Sequence, residues 1–351
     1  MNLQDFKPWN GLTLRPTAVI IVVALLGAAF GVTASIYRLN RSTGVARADV
    51  KIKKGMLVSQ ISQMLYREGV IRSPNLLMGF ASIKGTSRRI KAGLHSFHGG
   101  MSTWRVLEEL ERPEDVMIEV TIKEGLRRES AVKVLADALD LDLQKLLQIT
   151  SDPKFCKKVG VDAGTLEGYL FPETYKFSVA MEEEDVVDVL VKHFFKIFDS
   201  NMIDRARELG LTVHEAVSLA SIVEGEAQLN DERPMIAAVY HNRLKRNMRL
   251  QADPTVQYAI SDGPRRLFYR DYHVDSPYNT YRLRGLPPGP ISSPGEASLD
   301  SALYPADVAY LYFVARGDGS HVFSRTAKEH ERAKRQTRLA RRRSWGRSAA
   351  R

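Results

Sequence analysis

Three kinds of hydrophobic pattern divide the chain. Residues 16–37 read PTAVIIVVALLGAAFGVTASIY and contain no charged side chain. About 20 apolar residues at about 1.5 Å each cross the roughly 30 Å apolar core of a bilayer, so the stretch predicts one transmembrane helix. A cleaved signal peptide has a shorter apolar region. Beyond it, VKIKKGMLVSQISQMLYREGV from Val50 and VTIKEGLRRESAVKVLADALD from Val120 share one design at an offset of 70 residues. Each alternates apolar and polar over four residues, as a half-buried strand does, then has a glycine (Gly55, Gly125) and an amphipathic helix. From Val186 the pattern becomes helical and strongly apolar, first in VVDVLVKHFFKIF and then in LTVHEAVSLASIVEGEA. Thr212 and Glu215 form a T-x-x-E capping box that starts the second of these near Val213. DERPMIAAVYHNRLKRNM predicts a further helix, with Asp231 as its cap and Lys/Arg at its end. LYFVARGDGSHVFSRT reads as two strands around a Gly317-Asp318-Gly319 turn.

The first repeated unit continues through GVIRSPNLLMGFASIKG, where Ser73 caps a second helix and Pro74 opens it. RIKAGLHSF then returns as a strand. A strand–helix–helix–strand of this size resembles the LysM fold, a glycan-binding module. Ser102 caps TWRVLEEL, and Pro113 closes that helix. The expected fold class is therefore α+β: an N-terminal transmembrane helix, a small LysM-like β-α-α-β unit at 50–98 and a larger mixed domain at 116–330. Residues 1–15 and 331–351 flank these parts.

The chain is 44% hydrophobic and 26% charged, an ordinary globular balance that supports two domains with real cores. Its net charge of +10 is concentrated at one end. Residues 331–351 hold nine Lys/Arg against one acid, Glu331, which leaves +2 for the rest. The tail reads as a basic, disordered appendage, and its lone Trp345 offers no stacking platform, so nothing else points to nucleic acid. One cysteine, Cys156, excludes an internal disulfide and fits either side of a bacterial membrane. Lys7 and Arg15 precede the apolar span while Arg38, Arg41 and Arg47 follow it, so charge leaves the orientation open.

Steps of 4, 3 and 4 from Val213 reach Val217, Ala220 and Glu224, which share one helical face. A carboxyl on an otherwise apolar face is desolvated, which disfavours its charged form and suits a general acid. The competing reading is a helix-end carboxylate paired to a neighbour such as Arg233. Glu226 lies about 200° further round the helix, so it reads as a cap, a supporting partner or plain surface. Other chemistry is weak. SDPK at 151–154 matches S-x-x-K without its companion motifs. There is no H-E-x-x-H and no phosphate-binding loop, so neither a metal nor a cofactor is expected. LQADPTVQYAI places Asp253 as a helix cap before Pro254. SPYNTYRLRGLPPGPISSPG, 276–295, has five prolines and three glycines and reads as a fixed irregular wall. Its Tyr278, Asn279, Thr280 and Tyr281 offer aromatic faces and polar groups that suit sugar rings and acetamido groups.

LEGYLFPETY, ASIVEGEA, ERPMIAAVYHNRL, LQADPTVQYA, SPYNTYRLRGLPPGPISSPG and LYFVARGDGSHVFSRTAKEH follow one another in order. Together they resemble the YceG-like (MltG) endolytic murein transglycosylases, from about Val50 to His330. The long arginine-rich end departs from that pattern. The resemblance implies a membrane-anchored lyase that cuts nascent peptidoglycan between N-acetylmuramic acid and N-acetylglucosamine and so ends strand elongation. It implies Glu224 as the acid that becomes the base, leaving a 1,6-anhydro end. It places residues 1–15 in the cytoplasm and the catalytic domain outside a bacterial cytoplasmic membrane, near the peptidoglycan synthases (penicillin-binding proteins). Gln251, Tyr278, Asn279 and Tyr281 are the expected glycan-binding residues, with Glu167 and Glu173 as weaker ones. Asp253 and Glu226 are expected to hold loops. The rival expectations are a lysozyme-like hydrolase with a second carboxylate from Glu167 or Glu173, and a non-catalytic peptidoglycan-binding scaffold.

Overall fold

The computed structural model describes residues 16–86, 88–112, 116–260 and 265–348. Helix α1, Pro16–Asn40, is exposed along its apolar length and is long enough to cross a membrane. The chain then divides into two compact units, one ending at Val116 and including Ser178–Ala180, the other holding the rest.

In the first unit the predicted β-α-α-β order is present: β1 (Arg47–Ile52), α2 (Val58–Arg67), α3 (Pro74–Lys84) and β2 (Gly93–His98). The strands pair antiparallel with Val50 opposite His95. Ile52, Ile61, Leu65, Leu77 and Phe97 fill the core with Val106 and Leu107 of α4 (Thr103–Glu109). Ser73 caps α3 by accepting from Leu76 N at 3.3 Å, and Ser102 caps α4 by accepting from Arg105 N at 3.2 Å. Pro113 lies outside the described residues.

The second unit opens with the second copy of the strand–turn–helix design, β3 (Met117–Thr121) and α5 (Arg128–Leu139). Gly55 and Gly125 occupy the same left-handed backbone region, at φ 82° and 72°. Next come α6 (Leu143–Ile149), α7 (Pro153–Lys158) and β4 (Thr174–Ser178), which pairs with β3. The S-x-x-K match is a helix start, with Asp152 capping α7 through Lys154 N at 3.0 Å. Cys156, on α7, is fully buried. Helices α8 (Glu183–Ile197) and α9 (Ser200–Glu208) lead into α10 (Val213–Glu226), which starts at the predicted capping box.

Every residue of α10 from Ala216 to Val223 is buried. A helix buried on all sides is a central one, so the apolar face read from the spacing of Val213, Val217 and Ala220 is only part of its buried surface. It packs on α9, α11 (Arg233–Lys245), α12 (Asp253–Ala259) and α13 (Glu296–Leu303). Asp231 does not cap α11; it lies in a short 3-10 turn, Asn230–Glu232, ahead of it. Likewise Asp253 is the first residue of α12 and Ala252 is the cap position.

A hairpin, β5 (Tyr312–Ala315) and β6 (His321–Ser324), precedes α14 (Ala327–Ser348). The basic end is thus helical through Ser348, in contrast to the disordered tail expected. Thr326 accepts from Glu329 N at 3.2 Å while Glu329 accepts from Thr326 N at 3.2 Å, a reciprocal cap. Ala333 and Thr337, one turn apart, are buried as α14 packs on β5 and β6.

Candidate active-site cleft

The C-terminal end of α10 is where the fold concentrates carboxylates. Gly225 sits between Glu224 and Glu226, and a Cβ there would lie 2.7 Å from Pro254 Cβ. Only glycine lets α12 approach so closely, and that approach brings Asp253 beside Glu226.

The two glutamates diverge. Glu224 Oε2 accepts from Arg233 Nη1 at 3.1 Å and from Gly295 N at 3.1 Å, while Oε1 accepts from Arg233 Nη2 at 3.2 Å. Arg233 also bonds Asn230 Oδ1 at 3.1 Å and the Ser298 hydroxyl. The side chains of Glu224 and Arg233 are each 8% exposed. Glu224 therefore holds the α11 and α13 starts through a buried bidentate pair, and the apolar surroundings expected for it are absent.

Glu226 faces the other way, and there the expected conditions for an acid are met. Tyr240 Oη donates to Glu226 Oε1 at 2.9 Å. Burial, and then the charge of Asp253, push the Glu226 carboxyl up to about 7. The Tyr240 hydrogen bond and Arg243 pull in the opposite direction and are outweighed. Asp253 in turn accepts from Tyr281 Oη at 2.6 Å and Tyr272 Oη at 3.4 Å. Burial raises both tyrosines, which keeps them as donors.

Two cavities of about 350 Å³ each meet at Glu226 and Asp253. One is walled by Arg127, Ser130, Gln257 and Tyr258, with backbone from the β3–α5 turn. The other is walled by Arg243, Gln251, Tyr281, His321, His330 and Lys334. The proline-rich segment is fixed, as its composition predicts. His214 Nε2 meets Pro288 O at 3.0 Å, Ile291 N donates to Ser221 Oγ at 3.1 Å, and Ser293 N donates to Leu126 O at 2.8 Å.

Among the residues expected to bind glycan, Gln251 and Tyr281 line the second cavity. Gln251 has a φ of 51°, a left-handed backbone rare outside glycine, and its N–H donates to Thr280 O at 3.1 Å. Such conformations cluster at ligand sites. Asn279 is fully buried and spent on its own loop, donating to Tyr272 O at 3.0 Å and Val274 O at 2.8 Å and accepting from Tyr281 N at 3.0 Å. Tyr278 packs on Tyr258 with ring centroids 4.7 Å apart and walls neither cavity. Glu167 is buried, accepting from Arg128 N at 2.9 Å and Tyr258 Oη at 3.3 Å, and burial pushes it up to about 7. Glu173 is exposed and accepts from Thr174 N at 2.9 Å. Among the described residues no group of His, Cys, Asp and Glu is arranged to hold a metal.

Tyr240, Arg243, His321, His330 and Lys334 were not singled out from sequence. His321 and His330 lie in the last of the six ordered motifs, and that was their available signal. Glu232 orients His321, accepting from its backbone N at 3.0 Å and meeting Nδ1 at 2.6 Å.

The YceG-like family profile matches residues 50–336, which span the cleft and both repeated units. The chain belongs to the YceG-like family. It is 32% identical over 329 residues to the endolytic murein transglycosylase of Bacillus subtilis, covering 88% of this chain and 90% of that protein. It is 28% identical over 318 residues to the endolytic murein transglycosylase of Streptococcus pneumoniae, covering 81% of this chain and 57% of that longer protein. The crystal structure of a YceG-like protein of Listeria monocytogenes superposes with a TM-score of 0.58 at 31% identity, over 82% of this chain and 98% of that one.

Proposed function

We propose that this protein is a membrane-anchored endolytic murein transglycosylase in which Glu226, in place of the expected Glu224, is the general acid. Family membership and the curated relatives support the reaction class. The observation that carries the residue assignment is a carboxyl at the junction of two cavities, with a tyrosine hydroxyl on one oxygen; burial pushes it up to about 7.

Protonated Glu226 gives its proton to the oxygen that links N-acetylmuramic acid to N-acetylglucosamine. The ionised Glu226, steadied by Tyr240 and by Arg243, then takes the proton of the muramic C6 hydroxyl. That oxygen closes on C1 and leaves a 1,6-anhydro end. No water is activated, so one working carboxyl suffices. Asp253 raises the proton affinity of its neighbour and is itself held by Tyr281 and Tyr272. Cavities on both sides of Glu226 suit a strand that continues in both directions, as cutting within a strand requires. The first unit serves as a LysM-like glycan contact. Helix α1 anchors the enzyme with the cleft outside the cytoplasmic membrane, where strands emerge from peptidoglycan synthases and are ended by this cut.

One observation favours a second reading. Asp253 is a second carboxylate beside Glu226, and retaining or inverting glycosidases use such pairs to produce reducing ends. Glu167 and Glu173 do not supply that partner.

Mass spectrometry of peptidoglycan strands treated with the full chain in detergent separates these readings. Anhydromuramic ends from wild type, reduced about 10²- to 10⁴-fold in Glu226→Gln, are expected. Glu224→Gln should keep its chemistry wherever it stays folded. Reducing ends would replace the lyase with a hydrolase. Loss of activity in a folded Glu224→Gln, with Glu226→Gln active, would return the acid to Glu224.

A further inference from the structure

The cavity on the Arg243 side of Glu226 has a chemical character that cutting a neutral sugar chain does not require. Arg243 is a buried residue, and its guanidinium is fixed. Nε donates to Leu311 O at 2.7 Å, Nη1 donates to Leu250 O at 2.7 Å, and the group lies 5.1 Å from the Tyr312 ring centroid. Among the described residues Nη2 donates no hydrogen bond and no carboxylate pairs with the guanidinium. Glu226 acts on this cation without a direct salt bridge, and burial lowers the cation's proton affinity. The same Tyr312 ring stacks on His330, with centroids 5.1 Å apart and planes at 23°. His330 Nδ1 is buried with no hydrogen-bond partner. Lys334, one turn along α14, lines the cavity beside it. Its contact with Glu331, 3.1 Å, is an exposed pair worth little, so the ammonium is available to the cavity.

Arg243, His330 and Lys334 thus line one cavity of about 350 Å³ that also holds Glu226; His330 Nδ1 is closed off, so the donors offered to a ligand are those of Arg243 and Lys334. The opposing acids are Glu226, whose proton affinity is raised, and Asp253, whose oxygens are engaged by tyrosines. An anionic ligand group fits this wall. On a murein strand the anionic groups are carboxylates borne by the muramic residue, either on its stem peptide or, where the stem is missing, on the lactyl group itself.

We propose that this cavity is a carboxylate-binding subsite, formed by Arg243, His330 and Lys334, that recognises the acidic substituent of the muramic residue at the cut. This rests on the murein reading above. It also makes the basic helix α14 part of the cleft, since two of the three residues come from it.

The test uses the full chain in detergent and three forms of uncrosslinked strand: native, carboxylate-amidated by carbodiimide and ammonia, and stripped of stems by an amidase. The readout is the rate of anhydromuramic end formation. Native strands should be cut about tenfold faster than amidated ones, the effect of one or two charge-assisted hydrogen bonds. Lys334→Gln should bring that ratio close to one. Lys328→Gln, an exposed cation of the same helix outside the cavity, should leave it unchanged. Stripped strands cut like native ones would mean that the freed lactyl carboxylate takes the place of the stem's; stripped strands cut like amidated ones would restrict the ligand to the stem. Equal rates on native and amidated strands, or a ratio untouched in Lys334→Gln, would overturn the subsite alone. No anhydromuramic ends from any strand would overturn the lyase reading and the subsite with it.

Discussion

Glu224 and Glu226, one glycine apart, have opposite surroundings. A carboxylate accepting three donors from an arginine and a backbone amide is a brace. A carboxyl buried beside another acid is a proton store. The proposed acid works only while protonated, and burial pushes its carboxyl up to about 7. Cutting should therefore be flat at acid pH and fall about tenfold per pH unit above 7, measured as a pH–rate profile of anhydromuramic ends. In Glu224→Gln the profile should keep that midpoint, while thermal unfolding shows a loss of about 3 kcal/mol from the broken buried pair. Local chemistry was legible in the sequence: Ser73, Ser102 and the Thr212–Glu215 box cap the helices they were expected to cap, because a cap is decided within four residues. What stands opposite a helix face was not. Glu224 shares the face of Val217 and Ala220, and no periodicity in 213–226 decides what meets it there; the pairing with Arg233 stood as the competing reading, and it is the one found, with Gly295 as a further donor.

At the scale of elements, the strand–glycine–helix design seen twice in the sequence is built twice in the fold, with Gly55 and Gly125 in the same backbone region. The α10–α12 contact is the element on which the cleft depends. Gly225→Ala would put a methyl group 2.7 Å from Pro254 Cβ, so one helix must yield. The expected result is a loss of about 1–3 kcal/mol in denaturant unfolding, together with a drop in cutting as Asp253 moves from Glu226. Unchanged activity in a stable Gly225→Ala protein would mean that Asp253 does not set the acid. The helix α14 was misread because charge density alone was weighed. Its alanines, lysines and arginines are good helix formers, and a buried pair, Ala333 and Thr337, docks it.

For the whole molecule, the order of parts was legible: a long apolar helix, a small β-α-α-β unit and a larger mixed domain. The cleft was legible only in fragments, because Glu226, Asp253, Tyr281, Arg243 and Lys334 are brought together across more than a hundred residues. A chain ending at His330 should fold less stably, losing the burial of Ala333 and Thr337, and should show a lower thermal midpoint than full-length protein. An unchanged midpoint would reduce α14 to an appendage. The chain's single thiol is that of Cys156, fully buried and raised in proton affinity by burial. The outer surface of the second unit thus offers no native attachment point to maleimides. One cysteine introduced on α14 or at the cleft mouth would be the sole reactive handle, so a fluorophore or spin label could report strand binding without first deleting anything from the enzyme.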